Sequence, residues 1–339
     1  LNIYDTRGIY LCISLIIMLL SSRLVANFLL SRNLRNLDFK IYNVLTFNCY
    51  LIIFLFISDT FRNYFYKIID VNPNVFQYII KRYSGIVYDG FSYISVFNSI
   101  IYIYGLLIIT YTKMNGFKFI MISISQLVVI FSIFLTGRAG FITLLIGLFI
   151  MIIPYLKTKR NLNKSLLYKY ILIQISIISI TTILIINSEL AWRLDYYFNF
   201  FKSFIFEKSL RGDSSTRGIL DNHFVFILEN FWSIFFGIAD YTNTLQARYA
   251  SDLGFICLIH GGGLAAFISF ILIILYLIYF GFKTLNENLV NSMVLIHMSI
   301  SLLIVNFKDF YVFFPSYFYF LLFLIFFIIQ NNKIYYRLK

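Results

Sequence analysis

Apolar positions in this chain do not alternate with polar ones, nor do they follow a simple amphipathic period. They come in nine blocks of 16 to 28 residues separated by polar stretches. A helix needs about 20 apolar residues to cross a hydrocarbon core of roughly 30 Å. Continuous apolar runs do not fit the in–out alternation of a transmembrane barrel, and a lipid-exposed backbone must satisfy its own hydrogen bonds. The pattern therefore predicts an all-α polytopic integral membrane protein with about nine spans. These are Ile9–Leu30, Ile41–Ser58, Phe91–Tyr111, Phe117–Leu135, Phe141–Leu156, Tyr170–Asn187, Leu253–Phe280, Leu289–Val305 and Tyr311–Ile329. The fifth is short, and the last contains Pro315, a residue that opposes a helix interior.

The polar stretches fall into two sets. One is short and basic: Ser31–Lys40, Thr112–Lys118, Lys157–Lys169, Gly281–Asn288 and Gln330–Lys339. It carries 14 cations and only two acids, Asp38 and Glu287. The other set includes two long loops, 59–90 and 188–252, and holds the remaining 13 of the 15 acids. Short basic loops stay on the cytoplasmic side. The expected topology puts the C-terminus inside and both long loops outside, on one integral membrane domain spanning 1–339. Nine spans then place Leu1 outside, and a missing first span would place the start inside. The first apolar block outruns a signal-peptide core and lacks a small-residue cleavage site, so it reads as a span.

Composition agrees with this picture. Of 339 residues, 60% are hydrophobic and 13% charged, too little charge to cover a soluble domain of this size. The net charge of +13 is explained by the basic loops, so a nucleic-acid partner is not implied. The three cysteines, Cys12, Cys49 and Cys257, lie in or beside apolar segments and form neither a disulfide framework nor a metal cluster; they read as small packing residues.

Loop 188–252 is not a plain linker. It contains both tryptophans, Trp192 and Trp232. Its segments Ala191–Phe206 and Ile219–Phe236 mix aromatic and aliphatic residues with Arg193, Asp195, Lys202, Asp221 and Glu229. Such segments suit interfacial helices at headgroup level. Between them lies the polar turn Leu210 to Gly218. A polar turn between two membrane-hugging helices suits a substrate that is half lipid and half sugar. Loop 59–90 is a smaller version, with Arg62, Lys67, Lys81 and Arg82 among aromatics.

Three constellations carry candidate chemistry. The first is Thr136-Gly137-Arg138-Ala139-Gly140, where span four turns into span five. An arginine at membrane depth is costly unless it serves something, and a guanidinium clamps a phosphate in bidentate fashion at any pH. The plainer alternative is a side chain that snorkels to headgroups. The second is the loop turn, with Arg211 and Arg217 beside the donors Ser214, Ser215 and Thr216; the alternative is a solvated turn. The third runs from Arg248 through Asp252 and His260 to Gly261-Gly262-Gly263. Asp252 reads either as a general base toward a sugar hydroxyl or as a cap of the following helix. The triple glycine reads as a packing or kink element. His223 is a minor candidate base. The three histidines show no metal-ligand spacing, and no Walker loop or nucleophile elbow is present.

Taken in order, these motifs resemble the Wzy-type O-antigen and capsule repeat-unit polymerases, relatives of the O-antigen ligases. The resemblance rests on Thr136 to Arg138 at the outer end of a mid-chain helix. It rests also on Ser215-Thr216-Arg217 in a long outer loop with Phe236-Gly237 after it, and on Ser251 to Phe255 leading into Gly261 to Gly263. It covers the chain from about the third span onward. It implies a metal-independent, inverting glycosyltransferase without cofactor in the bacterial inner (cytoplasmic) membrane, its active face periplasmic. Its substrates would be undecaprenyl-pyrophosphate-linked oligosaccharides, and its partners membrane lipids and a chain-length-determining co-polymerase. In that scheme Asp252, Arg217 and Arg138 are catalytic. Arg211, Arg248, Ser215 and His223 bind substrate. The ligases place a histidine in the region where this chain has Asp252, which favours a polymerase over a ligase.

Two further readings belong to other classes. A flippase for lipid-linked oligosaccharide predicts charges along a central pathway and pseudo-repeated halves, and neither is evident. A membrane acyltransferase wants an early histidine, whereas the first 200 residues contain none.

Overall fold

The computed structural model describes residues 6–31, 37–68, 91–112, 114–137, 139–152, 168–176, 179, 231–237, 254–306 and 315–337. Among these the regular structure is helical throughout, with no strand. The named helices are α1 (Thr6–Ser31), α2 (Leu37–Ile57), α3 (Asp59–Ile68), α4 (Phe91–Tyr111), α5 (Gly116–Thr136), α6 (Ala139–Ile150), α7 (Phe231–Phe236), α8 (Gly254–Thr284), α9 (Leu289–Val305) and α10 (Pro315–Arg337). Four segments are long and apolar enough to cross a membrane: Leu37–Ile57, Ile94–Tyr111, Gly116–Thr136 and Gly261–Thr284. Shorter apolar segments are Ile16–Leu30, Ala139–Ile150, Leu289–Val305 and Tyr319–Gln330. The chain is an α-helical membrane protein. Of the predicted sixth span, Tyr170–Asn187, only residues 170–176 and 179 are described, and they are helical. The chain divides into two compact units, one of Leu1–Leu34 with Glu207–Lys339, the other of Arg35–Phe206.

In the unit Arg35–Phe206, α4 is the most buried helix and packs against α2, α5 and α6. Between apolar helices in lipid, dispersion and interhelical hydrogen bonds replace the hydrophobic drive. This unit uses two polar seams. In the first, Gln126 Nε2 donates to Tyr42 Oη and to the Tyr102 carbonyl, each at 3.0 Å, and Tyr104 Oη donates to Asp38 Oδ1 at 3.2 Å. The helical residues 168–176 join it through a Tyr102–Tyr170 hydroxyl pair at 2.9 Å and through Gln174 Nε2, which donates to the Ser123 carbonyl at 2.7 Å. The second seam links α4 to α2, α5 and α6 through Ser95, Asn98 and Ser99.

The exposed face of α2, with Val44, Phe47, Phe54 and Ile57, runs on into Phe61, Tyr64 and Ile68 of α3. Ser58 separates the two helices, and its Oγ accepts from the Phe61 amide at 3.2 Å, a side-chain cap for the new first turn. Asp59 and Arg62 pair at 2.7 Å within α3. The first ten residues of the predicted loop 59–90 are therefore helical.

In the other unit α1 packs along α10, and Ser22 Oγ donates to the Tyr319 carbonyl at 3.3 Å. Pro315 stands at the first position of α10, where a missing N–H costs no helical bond. Residues 311–314 of the predicted block Tyr311–Ile329 lie outside the described residues, and from Pro315 on the block is helical. Helices α8 and α9 form a hairpin, tied near its turn by Thr284 and Ser292, whose hydroxyls lie 2.8 Å apart. At the far end the Phe255 amide donates to the Asn306 carbonyl at 3.2 Å. α9 is buried along nearly its whole length, including His297. α8 is broken at Gly263, where the backbone turns to φ 67°, ψ −170°.

Candidate functional site

The first candidate element is the turn between α5 and α6. Only Gly137 and Arg138 separate the two helices. α5 closes with the Gly137 amide donating to the Ile133 carbonyl at 3.1 Å, and Thr136, fully buried, donates its hydroxyl to the Ser132 carbonyl at 2.7 Å. On the α6 side, the first-turn amides of a helix lack intrahelical acceptors. The amide of Gly140 finds one on a different helix, donating to Ser95 Oγ of α4 at 3.0 Å. The approach is close enough that a Cβ on Gly140 would meet the Ser95 carbonyl carbon at 2.7 Å and Ile133 Cγ2 at 2.8 Å. One helical turn away, Asn98 Nδ2 donates to Ser132 Oγ at 3.0 Å, Cys49 Sγ donates to Asn98 Oδ1 at 3.4 Å, and the Ser99 and Thr143 hydroxyls lie 2.6 Å apart.

The second element surrounds the glycine-rich segment. Gly237 follows α7 with φ 74°. A Cβ there would meet the carbonyl carbon and oxygen of Gly261 and the nitrogen of Gly263, each at 2.6 Å. In return, a Cβ on Gly263 would meet the Phe236 nitrogen at 2.5 Å and the carbonyl of Phe235. The expectation that the triple glycine serves packing and a kink is met: the kink is at Gly263, and the partner is the backbone that ends α7. The aromatic residues of α7 pair among themselves, Phe231 on Phe235 and Trp232 on Phe236, stacked at 6.2 and 5.8 Å, and all four are exposed. The chain that leaves Gly237 thus returns, by Gly254, to the helix whose glycines Gly237 touches. Arg248 and Asp252 belong to the sequence between those two points.

The seven predicted site residues, Asp252, Arg217, Arg138, Arg211, Arg248, Ser215 and His223, lie outside the described residues. The structure describes the immediate flanks of Arg138 and the two ends of the segment with Arg248 and Asp252. Arg211, Ser215, Arg217 and His223 fall between 180 and 230, a stretch that lies wholly outside the described residues. The Arg138 turn belongs to one compact unit and the glycine clasp to the other. Among the described residues no group of three His, Cys, Asp or Glu side chains converges as a metal site.

Sequence reasoning passed over Ser95, Asn98 and Ser99. Their signal is visible in retrospect: three small polar residues at i, i+3 and i+4 within an otherwise apolar helix lie on one face. No family model, no curated protein and no solved structure matches the chain.

Proposed function

We propose that this protein is a lipid-linked oligosaccharide polymerase of the Wzy type. It would join repeat units carried on undecaprenyl pyrophosphate, at the outer face of a bacterial inner membrane. The observation that carries the reading is the Thr136–Gly140 turn. Arg138 falls in the two-residue stretch between two apolar helices, and the first turn of the second helix is tied to a third helix by a buried hydroxyl. Helix ends held by hydrogen bonds on either flank of a cation suit an anion that needs a rigid partner. Supporting it are the sequence order of the three motifs and the close approach of Gly237, which precedes the stretch with Arg248 and Asp252, to Gly261 and Gly263, which follow it.

In the proposed reaction, the acceptor sugar hydroxyl attacks the anomeric carbon of the donor glycan. The carbon–oxygen bond to undecaprenyl pyrophosphate breaks with inversion, and the hydroxyl proton passes to Asp252. Negative charge grows on the departing diphosphate. Guanidiniums held in place stabilise that charge without reorganising during the reaction. Arg138 and Arg217 are assigned to it, with Arg211 and Arg248 as further contacts. Ser215 and His223 are assigned to sugar hydroxyls. A co-polymerase that sets chain length and the surrounding lipids are the expected partners.

Deletion of the gene in its host, followed by display of the surface polysaccharide on a gel, tests the proposal. A polymerase deletion leaves a single repeat on the lipid core and removes the ladder. Loss of every repeat would point instead to a flippase or a ligase. Within a deletion strain, Arg138→Ala and Arg217→Ala are each expected to abolish the ladder at normal protein level. Full ladders from both would remove these residues from the mechanism.

A further inference from the structure

Three aromatic rings fix the course of α8 across its break. Phe255 lies 5.5 Å from Phe267 and 6.2 Å from Phe270, centroid to centroid, edge-on to both. In a continuous helix these residues stand about 18 and 22 Å apart along the axis, at about 1.5 Å per residue. Two phenylalanine side chains cannot close such a gap, so the chain reverses at Gly263. The backbone says the same. Thr284 and Ser292 are level, their hydroxyls 2.8 Å apart. From that level α8 climbs about 32 Å to Gly263, and α9 about 21 Å to Asn306. Yet the Phe255 amide, eight residues before Gly263, donates to the Asn306 carbonyl at 3.2 Å. Residues 254–262 therefore run back beside the start of the outgoing arm and cover the difference of about 10 Å.

A hydrocarbon core of roughly 30 Å matches the climb of α8, which sets Gly263 at the bilayer boundary and the returning arm inside it. A helix end at that depth is tolerated only where protein covers it. Here Ile256, Leu258 and Ile259 are buried, and the Phe255 amide has the Asn306 carbonyl. At the boundary itself stands α7, because Gly237 packs against Gly261 and Gly263. Its rings Phe231, Trp232, Phe235 and Phe236 are exposed, and from Gly263 onward α8 exposes Leu264, Ile268 and Leu272. On a segment that crosses the membrane such a face meets lipid, and aromatic rings at its end suit the headgroup layer. We propose that Gly254–Gly262 is a re-entrant arm, and that α7 is its foot on the bilayer boundary, with those four rings lodged among lipid headgroups. The crossing is then Gly263–Thr284 alone, whereas hydropathy reads Leu253–Phe280 as one straight span. All of these residues belong to one compact unit, and neither arm nor foot depends on the polymerase reading.

The test uses the full-length protein in proteoliposomes and reads a distance and a depth. For the distance, Cys12, Cys49 and Cys257 are replaced by Ala. Nitroxides are then attached either at Phe255→Cys with Tyr279→Cys or at Leu264→Cys with Tyr279→Cys, and the separations are measured by pulsed dipolar spectroscopy. The second pair lies within the unbroken part of α8, about 22 Å apart by helical rise. A re-entrant arm brings the first pair to the same separation or less. Keeping Cys257 in place of Phe255→Cys repeats the comparison without touching the Phe255 ring. For the depth, Trp192→Phe leaves Trp232 as the single tryptophan. Its fluorescence is quenched by phosphatidylcholines brominated near the carbonyls or near the chain ends, and by aqueous acrylamide. The shallow bromines are expected to quench most.

A first pair longer than the second by about 14 Å, the rise of the residues between 255 and 264 in a continuous helix, overturns the re-entrant arm. Strongest quenching by bromines at the chain ends overturns the foot, since α7 would then lie in the hydrocarbon. Quenching by acrylamide alone does so as well, because the rings would stand in water. So does protection from every quencher, which would mean that another part of the chain or a second copy covers them.

Discussion

Gly237 and Gly263 meet backbone to backbone, each in a conformation with positive φ and each at a distance that leaves no room for a Cβ. At Gly263 the pair φ 67°, ψ −170° falls in a region that is essentially glycine's own. Gly263→Ala therefore combines backbone strain of about 1–3 kcal/mol with overlap against the Phe235 carbonyl. Gly237→Ala meets the same two penalties at φ 74°. Gly116, at the start of α5, has nothing within 4 Å of the point where a Cβ would stand, and Ala there is expected to be neutral or to stabilise by about 0.5–1 kcal/mol. The readout is the temperature at which the detergent-solubilised protein loses its monodisperse gel-filtration peak. Both clasp variants should fall below wild type while Gly116→Ala does not. Equal temperatures for Gly263→Ala and wild type would contradict the clasp.

The Cys49–Asn98–Ser132 chain supplies its own reporter. Cys49 is fully buried, and its Sγ donates to Asn98 Oδ1 at 3.4 Å. With Cys12 and Cys257 replaced by Ala, a thiol-reactive dye records when Cys49 becomes accessible on heating. Asn98→Ala removes the donor to Ser132 and the acceptor for Cys49, and should lower the onset temperature. Interhelical hydrogen bonds in membrane proteins couple by about 0.6 kcal/mol on average and up to about 1.7. The Asn98→Ala and Ser132→Ala double mutant should therefore lose less than the sum of the singles. Strict additivity would mean that the 3.0 Å bond between them contributes nothing.

Much of this fold is written in the chain as block length. α4 and α9 begin and end where the apolar blocks Phe91–Tyr111 and Leu289–Val305 do, because crossing a bilayer demands both length and continuity. Block length carries no information about what happens inside a block. The break at Gly263 depends on a partner backbone 26 positions earlier, Gly237, which no local pattern announces. Ser58 is similar: hydropathy ends a span there, whereas the cap it gives Phe61 lets a second helix follow at once. For the candidate site, the Arg138 motif was legible because an arginine between glycines at the end of an apolar block is costly. Ser95 was passed over because small polar residues at i, i+3 and i+4 announce a packing face without saying what any one of them, Ser95 included, bonds to. Only the Gly140 amide at 3.0 Å distinguishes it.

The helical residues 168–176 depend on two polar ties, Tyr170 to Tyr102 at 2.9 Å and Gln174 to the Ser123 carbonyl at 2.7 Å. Their other side is largely apolar and exposed, with Leu172 and Ile175 among the exposed residues. Tyr170→Phe combined with Gln174→Leu keeps the shape and removes both ties. Hydrogen exchange in lipid nanodiscs is expected to speed up for the amides of 168–176 in the double variant, while amides of α4 stay as slow as in wild type. Unchanged exchange at 168–176 would show that apolar packing alone holds this segment.

Ser22 and Ala26 stand one helical turn apart on α1, both fully buried, and Ser22 reaches the Tyr319 carbonyl of α10. Two small residues four apart let helix backbones approach closely, and in lipid that approach is the main source of attraction. The hydrogen bond, at 3.3 Å, is long, so close packing should matter more than the hydroxyl. Ser22→Ala is then expected to be mild, and Ala26→Leu severe, because overpacking a tight contact costs about 1–3 kcal/mol. A protease site inserted between Arg35 and Asn36 makes the difference measurable. After cleavage in mild detergent, the α1 fragment should co-purify with the remainder of the protein in wild type and in Ser22→Ala, and be lost in Ala26→Leu. Retention of the fragment by Ala26→Leu would place the attraction elsewhere along α1; loss from Ser22→Ala would give the hydroxyl the larger share.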